Sequence, residues 1–288
     1  MCSKPSWAER AQKDVIGRDV IGWDVIGWRG DDHAEPSVFR PEHLLREARR
    51  QRGLAERDVP PLCVLDPDGD LVRYLRRSGR GRPNQDWACY HTEMLEWTLL
   101  DGEVAGVIGC AVGAPFAVLV AEQLFVSGCR FLVSITSSGR IADLGEPPYT
   151  VLIDRALRDE GTSARYLAVN AGEFVLAPLP GLLDLVEREA RDGATVHRGA
   201  TWTTDAPYRE TSSAIAKANA RGVLAVEMEA SALYAFAAAR GVCVVCFAQV
   251  TNTMGQHGGD DFEKGEADGA LAAIRLIEAA SRAFRAFP

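Results

Sequence analysis

The sequence lacks the features that mark several common classes of protein. Its 288 residues include 32 lysine and arginine residues against 40 aspartate and glutamate residues, a formal net charge of −8. Without a basic excess the chain has no electrostatic basis for binding nucleic acid, so we expect no nucleic-acid partner. No apolar run reaches the length of a membrane span, and the N-terminus has no apolar signal-peptide core. We therefore expect no membrane partner either.

The chain also lacks the cysteine pattern of a disulfide framework or a metal centre. Its seven cysteines are odd in number and lie mostly in apolar segments. Cys243 and Cys246 have the spacing of a Cys-x-x-Cys pair, but they lie in a predicted strand, where residues three apart point to opposite faces. Buried free thiols are therefore the better interpretation. They predict a reducing, cytoplasmic compartment, and nothing in the sequence implies a metal or a cofactor.

One short repeat stands near the N-terminus. Residues 14–28 contain the pentapeptide Asp-Val-Ile-Gly-Arg/Trp three times. A period of five residues fits neither a helix nor a strand, and three copies are too few for a solenoid. We interpret residues 1–36 as a poorly ordered extension and residues 37–288, which contain no linker-like break, as one domain.

Within that domain, apolar strands alternate with helices. This alternation is typical of βαβ units, so we predict an α/β fold with a largely parallel sheet. The predicted strands are residues 62–66, 103–109, 130–135, 195–201, 223–228 and 242–250, and the predicted helices are residues 42–52, 115–127, 182–192, the segment before Gly222, the segment ending near Arg240, and residues 263–284.

The most informative segment is Glu227-Met228-Glu229, where a predicted strand leads into a helix. The flanking residues are apolar, and an unpaired buried carboxylate is costly. One interpretation is that the two acids cap the following helix, because acids favour the positive end of its dipole. The other is a polyol site, in which the Met228 thioether packs on a sugar face and a carboxylate accepts hydrogen bonds from neighbouring hydroxyls.

Polar or glycine-rich residues follow several other predicted strands. They are residues 109–115, 136–139, 203–210 and 251–253. Taken singly, each is better explained as a turn or a helix cap. In α/β sheets, however, ligands gather at the carboxyl ends of strands, so the recurrence predicts a single site at this edge.

These segments carry a resemblance to a known family. The block Val226–Ser231, together with Val250-Thr-Asn252 downstream, resembles the purine nucleoside phosphorylase and uridine phosphorylase superfamily, in particular its bacterial uridine-phosphorylase-like members. The resemblance covers roughly residues 60–288, and it extends through residues 130–145, 159–163 and 203–211. It implies a single-domain, three-layer α/β/α fold with a central mixed, largely parallel sheet. It also implies cleavage of the N-glycosidic bond of a nucleoside, which releases the free base.

The resemblance further implies roles for individual residues. Glu229, Asn252 and Asp205 are the expected catalytic residues. The sugar would be bound by Met228 and Glu229, with Glu227 beside them and His91 supplied by a neighbouring subunit. The base would be bound by Tyr208, Arg209 and Asn252. Ser137, Ser138, Gly113 and His91 would form the site of the phosphate or other nucleophile. Partners would be a nucleoside, phosphate in the phosphorolytic case, and further copies of the chain in a dimer or a hexamer.

The phosphate-binding residues depart from the family pattern. Acids and Leu71 occupy the turn after the first strand, Asp66–Leu71, where a glycine and an arginine are expected, and Ser134 and His91 stand where two other arginines are expected. Hydrogen bonds to charged groups contribute about 1.5–3 kcal/mol each, so phosphate affinity should fall steeply.

These departures leave the attacking group open. Hydrolysis by water, activated by a carboxylate or by His91, is an equal alternative to phosphorolysis. Arg73, Arg140 or Arg209 could instead rebuild an anion site. The substrate of a hydrolase could be a specialised nucleoside or nucleotide, and a nucleoside-binding module without activity is a further alternative.

Overall fold

The structure, a computed structural model, describes residues 35–168, 172–191, 195–254 and 262–288. Residues 36–288 form one unit. The predicted extension over residues 1–36 lies outside the described residues except at its last two positions. No helix in the described ranges is long and apolar enough to cross a membrane.

The described residues form ten strands and seven helices. The strands are β1 (Leu62–Asp66), β2 (Arg82–Pro83), β3 (Leu95–Thr98), β4 (Val104–Gly109), β5 (Phe131–Arg140), β6 (Tyr149–Asp159), β7 (Phe174–Leu176), β8 (Val196–Thr204), β9 (Val223–Glu227) and β10 (Cys243–Asn252). The helices are α1 (Pro41–Arg52), α2 (Asp70–Arg77), α3 (Ala114–Val126), α4 (Pro180–Ala190), α5 (Ser212–Ala220), α6 (Ala230–Arg240) and α7 (Ala270–Ala286).

All ten strands belong to one mixed sheet, which confirms the predicted fold class. The order is β10-β6-β8-β9-β5-β1-β4-β3-β2, with β7 beside β6. Strand β5 runs parallel to β1 and β10, whereas β9 runs antiparallel to β5 and β6 antiparallel to β10. Because β10 pairs with both β5 and β6, the strands β5, β10, β6, β8 and β9 close into a ring.

Two groups of helices form the outer layers. Helix α7 packs on α2 and α4, and helix α3 packs on α1 and α6. Helix α6 is also bonded to the ring, because the buried Tyr234 hydroxyl donates to the Ile153 carbonyl at 2.6 Å and accepts from the Cys246 amide at 3.2 Å. These bonds join the second turn of α6 to β6 and β10 and hold the helix against the sheet.

Several elements differ from the sequence prediction, which did not include the short strands β2, β3 and β7. Strand β6 was not predicted, and it is the strand that completes the ring. Helix α2 begins at Asp70, directly after a turn in which Gly69 has φ +74°, where only a turn was predicted. Helix α7 begins at Ala270 rather than near Glu263, because Gly269 has φ +82° and ends the preceding irregular segment.

Candidate active site

The Glu227 side chain caps helix α6 by accepting hydrogen bonds from backbone amides at its N-terminus. One of its carboxylate oxygens accepts from the hydroxyls of Thr201 at 3.0 Å and Thr203 at 2.5 Å. The other accepts from the backbone amides of Glu229 and Ala230, both at 2.7 Å. These bonds use the four lone-pair sites of the carboxylate. For Glu227 this geometry matches the capping interpretation of the sequence, and its predicted contact with the sugar stays a prediction.

Glu229 is buried, with 1% of its surface exposed, but only one of its oxygens is anchored. Oε1 accepts from the Gly113 amide at 2.7 Å. Oε2 has no hydrogen-bond partner within the described part of the chain. The Met228 methyl group lies 4.0 Å from the point where a side chain on Gly113 would begin. A buried acceptor therefore lies in the segment that presents a thioether, as the polyol interpretation requires.

Burial raises the pKa of both acids of this segment. Burial, and next to it the charge of Glu227, raises the pKa of Glu229 to about 8, against the opposite effect of the Gly113 amide and the Thr136 hydroxyl. Burial also raises the pKa of Glu227, but four donors hold its ionised form. The ionised form of Glu227, where it is present, in turn opposes ionisation of Glu229.

A buried network holds this segment in place. The Thr203 hydroxyl, besides donating to Glu227, accepts from the Ser231 amide at 3.0 Å. The Ser231 hydroxyl donates to Glu160 at 2.9 Å, and the other oxygen of Glu160 accepts from the Thr162 and Ser163 amides. The ends of β6 and β8 are thereby joined to the first turn of α6.

Sequence reasoning assigned no role to Thr201, Thr203 or Ser231. A signal was present in Thr201-Trp-Thr203, because alternate residues of a strand share one face. Both hydroxyls could have been expected to lie together, but their partner could not be read from the sequence.

The acidic turn after β1 reaches the predicted nucleophile site. Asp68 accepts from the Ser137 amide at 2.6 Å. Asp66 is buried and accepts from the Val72 amide at 2.9 Å, and burial raises its pKa to about 7. Asp70 pairs with Lys264 at 2.5 Å and with Arg73. The turn thus places a carboxylate on the backbone donor that the sequence assigned to an anion.

Two further candidates lie where β5 and β10 run side by side. Asn252 is half-buried opposite Gly139, and its side-chain oxygen accepts from the Met254 amide at 3.1 Å. The Ser138 hydroxyl is buried and has no hydrogen-bond partner among the residues described. A side chain on Gly139 would approach the Met254 sulfur to 2.2 Å, so the Met254 side chain lies directly against this glycine.

The predicted base-binding residues lie in an exposed segment after β8. Tyr208 is fully exposed and Arg209 is exposed within a short 3₁₀ turn. Asp205 accepts from the Gly161 amide at 3.1 Å, so in this structure it ties this segment to the loop after β6. Among the described residues, no hydrogen bond joins the side chains of Tyr208, Arg209 or Asp205 to Glu229.

His91 lies close to the site within the same chain. Its exposed ring makes an edge contact with Phe116, with 6.5 Å between the ring centroids. Phe116 is in the first turn of α3, directly after Gly113. The sequence prediction placed His91 in the site of a neighbouring subunit, and that part stays a prediction.

Comparison with known proteins identifies the family. The model of the phosphorylase superfamily matches residues 61–285. A guanosine phosphorylase of Halorubrum lacusprofundi is 27% identical over 183 residues, which are 61% of this chain and 75% of that protein. A uridine phosphorylase of Thermococcus kodakarensis is 29% identical over 195 residues, which are 62% of this chain and 67% of that protein.

A solved structure shares the fold. The crystal structure of uridine phosphorylase from Vibrio fischeri ES114 superposes with a TM-score of 0.64 at 20% identity, covering 80% of this chain and 95% of that one. The resemblance predicted from the Glu227–Glu229 block is thereby confirmed. Because the superfamily model spans most of the sequence, the chain belongs to the phosphorylase superfamily.

Proposed function

We propose that the chain cleaves the N-glycosidic bond of a nucleoside and releases the free base, with the ribose held by Met228 and Glu229. The observation that carries this proposal is the difference between the surroundings of the two Glu229 carboxylate oxygens. Gly113 fixes Oε1, while Oε2 is buried without a partner among the described residues. The names of the relatives, a guanosine and a uridine phosphorylase, support a nucleoside as substrate.

The chemistry follows from where charge develops. As the base departs, positive charge builds up on the ribose ring, and a carboxylate that binds the 2′ and 3′ hydroxyls stabilises that charge. The ribose hydroxyls donate to Oε2, which favours the ionised form of Glu229 and displaces its proton. Glu227 and its four donors keep the backbone of Met228 and Glu229 in register with the sugar.

We assign the leaving base to Asn252 together with Tyr208, Arg209 and Asp205, the residues that the family resemblance implies for this role. A neutral amide can donate and accept at once, so it can hold a ring nitrogen or a carbonyl, but it cannot act as a general acid. Asn252 therefore favours a base that leaves as a stabilised anion, such as uracil or a 6-oxopurine, over adenine. Tyr208 and Arg209 would close over the base from their exposed segment.

Two attacking groups are compatible with this site. Phosphate is supported by the names of the relatives and would be received near Ser137, Ser138, Gly113 and His91. Water is the second candidate, because the Asp68 carboxylate already accepts from the Ser137 amide at 2.6 Å. Phosphate yields a sugar 1-phosphate and water yields the free sugar.

We assign the working enzyme to a homo-oligomer, either a dimer or a hexamer. Apolar side chains are exposed on and before helix α3: Val112 at 51%, Leu119 at 39% and Val126 at 38%. These side chains offer an apolar surface to a second copy of the chain. Sedimentation of the purified protein tests this assignment directly.

The proposed function is tested by incubating the purified chain with uridine, inosine, guanosine and adenosine and measuring base release. We expect release from at least one nucleoside, and a loss of about 100-fold or more in Glu229→Gln, since removing one group that stabilises transition-state charge has this order of effect. Glu93→Gln is the control, because Glu93 is exposed and its carboxylate pairs with Arg76 at 2.7 Å.

Circular dichroism would establish that both variants fold. Full activity of a folded Glu229→Gln variant would remove Glu229 from the site. Nucleoside binding by the wild type without any base release would favour a binding module over an enzyme.

A further inference from the structure

We propose that Met254 limits the size of the base, so that the site accepts a pyrimidine, which has a single ring, in preference to a purine. This inference rests on the proposed cleavage of a nucleoside, in which Asn252 binds the base. It goes further by naming the residue that selects among bases. The sequence reasoning assigned no role to Met254.

The Met254 side chain lies where strands β5, β9 and β10 meet. A side chain on Gly139 would begin 2.2 Å from the Met254 sulfur and 3.2 Å from a Val226 methyl group, so the thioether rests on the Gly139 backbone. In the sheet Gly139 pairs with Asn252 on β10 and with Val226 on β9. Val226 stands two positions before Met228, which is assigned to the ribose. A base that is held by Asn252 and joined to a ribose at Met228 would therefore lie beside the Met254 thioether.

Asn252 also holds the backbone of Met254. Met254 has φ +54°, in the left-handed region that residues other than glycine rarely adopt. The Asn252 side-chain oxygen accepts from the Met254 amide at 3.1 Å and stabilises this conformation. A carbonyl oxygen has two lone pairs, so the second remains for a donor on the base. Asn252 can therefore bind the base while it keeps the thioether beside that base.

Packing restrains the Met254 side chain as well. Met254 packs against an apolar cluster that includes Ile141, Trp202 and Val226. It is only half-buried, so part of its surface remains free to contact a ligand. Thioether sulfur makes favourable contacts with aromatic rings, and a nucleobase is such a ring. The exposed part of Met254 therefore suits a planar base.

The size limit follows from the space over Gly139. Because glycine has no side chain, the strand leaves room at this position, and the Met254 thioether occupies that room. A purine exceeds a pyrimidine by a fused five-membered ring, and closely packed sites respond to the addition of even a few atoms. With Met254 in place the site therefore favours uracil over a 6-oxopurine, the two bases that Asn252 leaves open.

The test compares kcat/KM for uridine and for inosine, measured with the full chain in the presence and in the absence of phosphate. For the wild type we expect a preference for uridine. Met254→Ala should raise the ratio of inosine to uridine cleavage by about tenfold or more, the range that small changes in an apolar pocket control. Met254→Leu keeps the apolar bulk and should keep the wild-type ratio.

A purely structural role of Met254 predicts a different result, because lost packing would lower both rates together. Both substrates are measured on one preparation, so their ratio does not depend on the fraction of folded protein. Met254→Gly is the second truncation, since glycine adopts the left-handed backbone without strain and should fold more readily. It should shift the ratio in the same direction as Met254→Ala.

Leu176→Ala is the control for loss of an apolar side chain, because Leu176 is 64% exposed on β7 and should leave both rates unchanged. An unchanged ratio in the two truncated variants, or a wild type that prefers inosine, would overturn the role of Met254 while leaving nucleoside cleavage standing. Absence of base release from every nucleoside under both conditions would overturn the proposed function and this inference with it.

Discussion

The Glu229 carboxylate and the Gly113 amide, 116 positions apart in the chain, are joined by a hydrogen bond of 2.7 Å. Gly113 directly precedes helix α3 and Glu229 directly precedes helix α6, and these two helices pack against each other. The bond therefore fixes the relative position of two helix starts as well as the carboxylate. We therefore expect a substitution of Gly113 or of Glu229 to impair sugar binding.

Gly113→Ala should weaken sugar binding. Gly113 has φ +86° and ψ 149°, a conformation that costs other residues about 1–3 kcal/mol, and relief of that strain would rotate its amide away from Glu229. We expect a lower melting temperature and at least about a tenfold fall in kcat/KM, as one lost charge-assisted hydrogen bond implies. Gly102→Ala, at φ +90° with no atom within 4 Å, is the control for strain alone. Equal kcat/KM in the two variants would contradict the prediction.

Comparison of Thr203→Val with Thr201→Val should separate an effect on the position of the sugar-binding segment from an effect on protein stability. Both remove a hydroxyl that donates to Glu227, so each should lower the free energy of unfolding by about 1–2 kcal/mol. Only Thr203 among the two also accepts from the Ser231 amide, so Thr203→Val should raise the nucleoside KM more. Thr203→Ser should restore KM. Steady-state kinetics beside urea denaturation measure both effects, and identical KM values would refute the positioning role.

Stability should fall as the pH rises. In the folded protein burial raises the pKa of Glu229 to about 8 and the pKa values of Asp66 and Glu210 to about 7, from ordinary values of 4.5, 3.8 and 4.5. A carboxyl with a raised folded-state pKa binds its proton more tightly when folded, so its stabilisation is complete below the unfolded pKa and is lost as the pH rises through the folded one. The urea midpoint should therefore decline between about pH 5 and about pH 9.

Glu229→Gln should make that decline shallower, because the neutral amide has no proton to lose. Parallel curves for the wild type and Glu229→Gln would show that Glu229 does not titrate in this range.

Catalysis should have the opposite dependence on pH. The ribose hydroxyls donate to an ionised Glu229, so kcat/KM should rise with pH through the free-enzyme pKa of about 8. A profile of kcat/KM for the best nucleoside over this range gives the measurement. A flat profile would mean that Glu229 binds substrate in its protonated form.

Asn252→Asp should broaden base specificity. An aspartic acid can donate a proton to a leaving adenine, which the amide of Asn252 cannot do. We expect the ratio of adenosine to inosine cleavage to increase at slightly acid pH, whereas Asn252→Ala should lower both rates. An unchanged ratio in the aspartate variant would place the base elsewhere.

The sequence predicted the apolar strands and most helices because their patterns are local. Strand β6 escaped prediction because Asp154, Arg155 and Arg158 interrupt its apolar pattern. In the fold these charges are paired, Arg155 with Asp154 at 3.0 Å and Arg158 with Glu160 at 3.9 Å, so the strand tolerates them. Helix α2 escaped because Asp-Pro-Asp-Gly-Asp is typical of a turn, and the helix starts at its last residue.

The sugar-binding segment was predictable from its composition, but the separate tasks of its two acids were not. Glu227 and Glu229 are the same residue type, so the sequence does not distinguish their roles. In the fold, Thr201 and Thr203 on the neighbouring strand donate to Glu227 and so hold it in its capping position. The Asp68 contact spans 69 positions and depends on β1 and β5 lying side by side. Such pairings are decided by tertiary structure, which no local pattern encodes.

Within the ring of five strands, the pairing of β5 with β9 is short and lies beside the site. We call this pairing the seam. Strand β5 meets β9 through Gly139 with Val226 and Arg140 with Ala225, followed by bonds from the Ile141 and Ala142 amides to the Leu224 carbonyl. So short a junction is where a closed sheet exchanges its amide hydrogens first. Since Glu227 directly follows Val226, a bound sugar should slow deuterium uptake at this seam, which would then report occupancy of the pocket without any label on the substrate.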